Sequence, residues 1–327
     1  MPDERRMGPI GLARLLALLI LACTTLPLVA GETLGLKERL RLELLATIND
    51  DRAANHLAPL ILDPRSSRMA DEYGRRQILD GTTGHFSLDG QPPYLRYSSS
   101  GENDALLENT AAWSSDSPFT ESMLPELIRR SHEEMIGETP PNDGHRQAIL
   151  DPWATHAGIG LAWEQGEFRL VEIFLRRHID WTQVLPRRSR ASDHPWGAGK
   201  VRDGFRIDTI SVHYEPQPHP MSVDEVNRKE SYSLPKTQHE YRPSPHLRTP
   251  AARTIDGTTI SRRRNGDFAV FHDGSFSFDV DFDRGDGVYT VVVWITNEES
   301  NERIAASNVS IRVGAISGVD HPIAGSR

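Results

Sequence analysis

The chain is 327 residues long and carries 46 Asp and Glu against 37 Lys and Arg, a formal charge of −9. That length accommodates two domains with sizeable cores, and the acidic balance excludes a broadly basic nucleic-acid-binding face. The single cysteine, Cys23, excludes an intrachain disulfide, while 22 Pro and 25 Gly point to a loop-rich protein with strands.

Residues 1–30 read as an export signal. Arg5, Arg6 and Arg14 flank an apolar run over 15–22, which Thr24, Thr25 and Pro27 interrupt before it reaches a comfortable membrane span. Two cleavage sites fit equally well. One is a cut after Ala30 between small residues; the other is a lipoprotein-type cut in Ile20-Leu21-Ala22-Cys23 that would leave Cys23 lipidated.

Downstream, Leu36, Leu40, Leu44, Leu45 and Ile48 recur at helical spacing and predict an amphipathic helix over 36–56. Pro59 and Pro64 bracket a connection to a second helix over 66–79. The stretch 81–101 is turn-rich and holds Gly84-His85-Phe86-Ser87, where His85 on its own reads as a partly packed loop residue. Glu108 stands at the start of an apolar segment, 106–113. A helix over 123–138 follows, with Leu124, Leu127, Ile128 and Met135 as its apolar stripe. Glu134 and Glu138 lie four apart and share a face of it. His132-Glu133-Glu134 is not a zincin motif, because the residue four after His132 is Ile136.

The stretch 142–162 organises the rest. A dense turn, Pro140-Pro141-Asn142-Asp143-Gly144, ends the helix and delivers His145-Arg146. A short apolar run at 148–150 stops at Asp151-Pro152. Then Ala157-Gly158-Ile159-Gly160-Leu161-Ala162 reads as a buried strand whose glycines admit another backbone closely. Residues 167–179 alternate as a further strand. Pattern breaks over 186–201, where Arg187-Arg188-Ser189-Arg190 reads as a solvated basic linker. Beyond it, 206–214, 275–282, 288–296 and 305–313 are strands, with Asp283-Arg284-Gly285-Asp286-Gly287 as a hairpin turn. The acidic run from Asp279 fails as a calcium loop, since its sixth and twelfth positions hold Arg284 and Thr290.

The sequence GHRQAIL at 144–150 followed by THAGIGLA at 155–162 resembles the signature of the CAP superfamily (cysteine-rich secretory proteins, antigen 5 and pathogenesis-related 1) in its bacterial form. Ile48-Asn49, Arg52-Ala53, Leu57-Ala58-Pro59-Leu60 and Met69-Ala70 resemble the amino-terminal part of the same domain. Animal and plant members are usually disulfide-rich, so a single cysteine is a departure that suits a bacterial member. The resemblance implies an α-β-α sandwich (the CAP or SCP domain) over 37–183; with the signal over 1–30, a linker over 184–200 and the short, evenly spaced strands of a smaller β-sandwich over 201–315, immunoglobulin-like in pattern, the chain reads as an α+β protein.

It also implies one cleft lined by two histidines and two glutamates. Matched residue by residue, these are His85, His145 and Glu108, with Glu138 preferred to Glu134 as the second glutamate. Two neutral imidazoles can hold a divalent cation such as zinc, weakly, and carboxylates beside them orient the rings. No Gly-x-Ser-x-Gly elbow is present in the chain. With that absence, the resemblance implies an exported, non-catalytic binding protein for a sterol, a fatty acid or another apolar ligand, or for an envelope component. Such a protein resides outside the cytoplasm and touches a membrane only through a lipidated Cys23. A metal-assisted hydrolase or peptidase, and an envelope interaction module acting through the β-domain, are the alternatives.

Overall fold

The computed structural model describes residues 34–244 and 267–315, so the stretch 1–30 expected to be an export signal, with Cys23, lies outside the described residues. The first half of the fold contains α1 (Leu36–Ala54), β1 (Ile61–Leu62), α2 (Pro64–Asp80), α3 (Pro93–Ser99), β2 (Ala105–Ser114), α4 (Leu124–Ile136), α5 (Gly144–Ile149), β3 (His156–Glu164) and β4 (Glu167–Arg176). The strands make one sheet in the order β1-β3-β4-β2, with β4 antiparallel to both its neighbours.

Because side chains alternate along a strand, β4 can serve two cores at once. Phe168, Leu170 and Phe174 share a core with Leu40, Leu44 and Ile48 of α1 and Leu127 and Ile128 of α4. Val171, Ile173 and Leu175 point the other way, to Ala70 and Tyr73 of α2 and Tyr97 of α3. Helices thus cover both faces of this sheet.

Local chemistry explains the element ends. Asp63 caps α2, its carboxylate accepting from Ser66 N at 2.7 Å, with Pro64 at the first helical position. Gly81 ends the helix with φ 67°, a conformation in which glycine has no steric penalty. The turn-rich reading of 81–101 missed α3, because Pro92-Pro93 looks like a break; Pro93 instead opens the helix at a position where its missing N–H costs nothing. The glycines of β3 do admit a close neighbour. A Cβ on Gly158 would lie 2.5 Å from Ser66 Cβ, and one on Gly160 would collide with the α2 backbone at Ala70.

The second half comprises β5 (Ile179–Gln183), β6 (Arg188–Ser189), β7 (Trp196–Val201), β8 (Phe205–Glu215), α6 (Val223–Asn227), β9 (Thr237–Pro243), β10 (Asp267–Val270), β11 (Ser275–Asp279), β12 (Gly287–Asn297) and β13 (Arg303–Val313). Its strands connect in the order β5-β7-β11-β10-β9-β8-β12-β13-β6 around one core, in which Phe276 and Phe278 of β11 join Ile210 and Val212 of β8 and Val291 and Val293 of β12.

Two features differ from the sequence reading. The stretch 184–200 is not a free linker: it supplies β6 and most of β7, and β5, assigned to the first domain, pairs with β7 in the second sheet. The turn at 283–287 does not close a hairpin either. β11 pairs with β7 and β10, whereas β12 pairs with β8 and β13, so this turn carries the chain from one layer to the other. Alternation identifies a strand but says nothing about which strand lies beside it.

The halves are bonded along α3. Ser310 N donates to Ser98 Oγ at 2.7 Å, Asn308 N to Asn103 O at 3.2 Å, and Arg187 Nε to Ser98 O at 2.6 Å. The described residues from Leu36 onward accordingly form one compact unit. Among the described residues no helix is long and apolar enough to cross a membrane.

Beneath the sheet, His132 of α4 is buried, with Nε2 2.7 Å from Asp51 Oδ2 and Nδ1 3.9 Å from Glu172 Oε1. The second separation is too long for a hydrogen bond and acts as an ion pair only. Burial works to lower the imidazole pKa, but Glu172 and Asp51 outweigh it and hold His132 above its ordinary value. The folded state therefore favours the imidazolium. Its stabilising contribution is fully present below the unfolded pKa, near about 6.5, and is lost as pH rises through the folded value. His132→Gln should thus cost more stability at low pH than at high pH. Denaturant titrations of both proteins across that range measure this directly, and a difference independent of pH would contradict it.

Candidate functional site

His85 lies in the loop between α2 and α3, and α2 fixes that loop. Tyr73 Oη and Gln77 Nε2 both donate to Gly84 O, at 3.0 and 2.7 Å. The His85 Nδ1 atom is 3.1 Å from Glu108 Oε1 on β2, and the other Glu108 oxygen accepts from Arg96 of α3 at 2.7 Å. Arg96 also donates to the His85 and Gln91 carbonyls, and its guanidinium lies 3.5 Å above the Tyr73 ring.

Tyr232, from the second half, closes this cluster. Glu108 N donates to Tyr232 Oη at 2.8 Å, and the Tyr232 ring meets the His85 ring edge-on at 4.9 Å. Burial pushes the phenols of Tyr73 and Tyr232 well above their usual range, so both stay neutral. Burial opposes the charge on Arg96, but Glu108 more than offsets it and holds Arg96 above its ordinary value.

His145 sits in the first turn of α5. Glu138, in the connection after α4, accepts from His145 N at 2.9 Å and stands 2.5 Å from His145 Nδ1. One carboxylate thereby satisfies a free N–H at the helix start and orients the imidazole. Glu134, the second choice from sequence, is exposed on α4. Asn109, next to Glu108 on β2, donates to His145 O at 3.1 Å. Consecutive residues of one strand point to opposite faces, so β2 reaches the His85 loop with one side chain and the His145 helix with the next.

The two histidines line one cavity of about 290 Å³ along β2, with Gln77, Thr110 and Arg169, and with Asn227, Lys229 and Glu230 from the second half. With each Nδ1–H donating to a glutamate, each Nε2 keeps its lone pair for a ligand or a proton. Among the described residues no group of three or more His, Cys, Asp or Glu side chains converges to hold a metal. A second cavity, about 720 Å³, lies beyond the His85–Glu108 pair. Met69, Tyr73, Leu88, Pro93, Leu106 and Ile173 line it together with Glu108, and exposed Arg68 also contributes to its wall.

A strap over 216–236 covers this region. Met221 N donates to Leu88 O at 2.7 Å, Thr83 N donates to Asn227 Oδ1 at 2.8 Å, and Lys229 Nζ lies 4.5 Å from the centre of the Phe86 ring. The sequence reading found the two histidines and their glutamates but missed Arg96, Tyr73 and Tyr232. Arg96 and Tyr73 carry the faint signal of a cation and an aromatic on helices flanking the His85 loop. Tyr232 carries none, being over a hundred residues away in a segment without pattern.

The two halves of the cleft should respond differently to truncation. Glu108 is a buried carboxylate paired with Arg96, and removing one partner of such a pair costs about 3–5 kcal/mol because the other charge is left uncompensated. His145 is one-third exposed, and its loss should cost no more than about 1 kcal/mol. Chemical denaturation of Glu108→Ala and His145→Ala checks this, and equal effects would remove the distinction.

No family model matches the chain, and no curated protein matches it. Solved structures similar to it include an outer surface protein from Borrelia burgdorferi, at 18% identity and a TM-score of 0.35, covering 44% of this chain and 96% of that one. They also include an extracellular protein containing an SCP domain from Bacillus anthracis, at 18% identity and a TM-score of 0.29. That match covers 42% of this chain and 40% of the Bacillus protein, so the chain spans less than half of its length.

Proposed function

We propose that this chain is an exported binding protein, acting outside the cytoplasm, whose first half is a CAP-type α-β-α sandwich. Its ligand is an apolar molecule with an anionic head, of the fatty-acid class, held in the larger cavity. The observation that carries this reading is the cavity itself: about 720 Å³, apolar in Met69, Leu88, Pro93, Leu106 and Ile173, with Arg65, Arg68 and Arg76 on its wall beside the carboxylates Glu72 and Asp80. Concave sites of a few hundred cubic ångströms with an apolar lining and few polar groups are the usual form of a small-molecule site. The leader over 1–30 supports export, and a lipidated Cys23 would add an anchor.

The same reading gives the smaller cavity a divalent cation such as zinc. What supports this is that two imidazoles, each set by its own glutamate at Nδ1, line that cavity and offer Nε2 as a ligand atom. Bound there, the cation would supply Lewis acidity. Affinity is weak because two protein nitrogens leave the rest of the shell to water.

Two measurements on the leaderless protein test these points. A fluorescent fatty-acid probe should bind saturably, and Leu88→Asp should weaken it at least tenfold while His145→Ala leaves it unchanged. Absence of saturable binding in the folded wild type would refute the lipid reading. Calorimetry should show weak zinc binding that fades in acid, because protons compete with a metal for its ligand atoms. Unchanged affinity in the His85→Ala/His145→Ala double variant would place the metal elsewhere.

A further inference from the structure

Three arginines meet where the two halves join, in a chain that is acidic as a whole. β6 runs parallel to β13 with Arg188 in register beside Arg312. Like charges facing each other across a ladder destabilise a sheet. Among the described residues neither guanidinium meets a carboxylate at ion-pair distance; Arg312 donates instead to the Gln217 side-chain oxygen at 3.2 Å. Gln217 is held in place by its amide group, which donates to Gly287 O and Val313 O at 2.8 and 3.0 Å.

Arg187, beside them, bonds only neutral oxygens: the carbonyls of Ser98, Leu185 and Glu102, and the Asn103 side chain. Burial pushes it down to about 10, with Glu102 only partly offsetting the loss of solvent. Arg187, Arg188 and Arg312 line a cavity of about 590 Å³ with Gln91, Ser99 and the chain at 313–315. One carboxylate, Asp89, shares that wall, and its oxygens already accept from Ser87 and Gln91. The cavity therefore carries an excess of positive charge that its own walls do not neutralise.

We propose that Arg188 and Arg312, with the charge of Arg187 beside them, form a receptor for a phosphate- or sulfate-type oxyanion carried by a ligand outside the cytoplasm. Guanidinium forks match tetrahedral oxyanions in charge and in paired N–H geometry. An anion between Arg188 and Arg312 would turn the repulsion across the ladder into two attractions. The volume exceeds what a bare ion needs, so the oxyanion is one group of a larger molecule, either a lipid headgroup or a soluble phosphorylated or sulfated compound. This site adjoins the apolar cavity, with Asp89 and Gln91 in the walls of both, but the argument for it does not depend on the lipid reading.

The test uses the leaderless protein at constant ionic strength, with inorganic phosphate as one probe and phosphatidylglycerol vesicles as the other. Wild type should bind phosphate saturably and show a raised unfolding midpoint. Arg188→Glu should reduce that affinity at least tenfold and, without phosphate, should unfold at a higher temperature than wild type, because it replaces a like-charge pair with an opposite one. Arg188 is exposed, so the variant should fold, and Arg312→Gln provides a second check on affinity. Binding to the vesicles but not to phosphatidylcholine, lost in Arg188→Glu, would identify a headgroup. Phosphate binding without vesicle binding would identify a soluble compound. If wild type binds neither probe, or Arg188→Glu binds both as wild type does, the proposal is overturned.

Discussion

The structure around the cleft depends on one buried carboxylate. The Glu108 side chain is 3% exposed, and an ion withdrawn this far from water must be matched by opposite charge and by hydrogen bonds. Arg96 supplies the charge and His85 a ring nitrogen. Arg96 in turn ties down the carbonyls of His85 and Gln91 and rests on Tyr73, so α2, α3, β2 and the His85 loop become one rigid assembly. Each partner is also a wall of a cavity. The requirement to neutralise one charge therefore separates the apolar space on one side from the histidine-lined space on the other.

The second half of the chain completes this assembly. Glu108 belongs to β2, the strand at the end of the first sheet, whose unpaired backbone groups would otherwise face solvent or a partner chain. Tyr232 takes the Glu108 N–H, and the strap around it covers the His85 loop. Tyr232 thus replaces a missing neighbour strand with a single phenol that stays neutral because it is buried. The β-rich half is consequently part of the cleft's construction, and its ladder at β6 and β13 places a basic cavity at the same junction.

His145 is held more lightly. Its glutamate comes from a connecting segment and its ring is one-third exposed, while the Glu108 cluster is sealed. His132, deeper on the sheet face that α1 and α4 cover, couples α4 to the sheet through Glu172 and to α1 through Asp51.

Much of this was legible in the amino-acid order. Helical spacing located α1, α2 and α4, alternation located the long strands, and the run of small residues at 157–162 announced a close approach that α2 makes over Gly158 and Gly160. These are local properties, set by the repeat of the backbone and by the size of a side chain. His85, His145, Glu108 and Glu138 were legible through motif resemblance. Tertiary structure alone decided the rest. Whether Glu138 or Glu134 meets His145 depends on where α4 ends, since the helix stops at Ile136 and frees Glu138 to turn back. The residues 184–200 read as a linker because short edge strands have too few residues to show a period, yet pairing with β13 and β11 gives them a fixed place. Arg96, Tyr232 and the Arg188–Arg312 neighbours matter only through partners far away in the chain, and no window of sequence contains both members of such a pair.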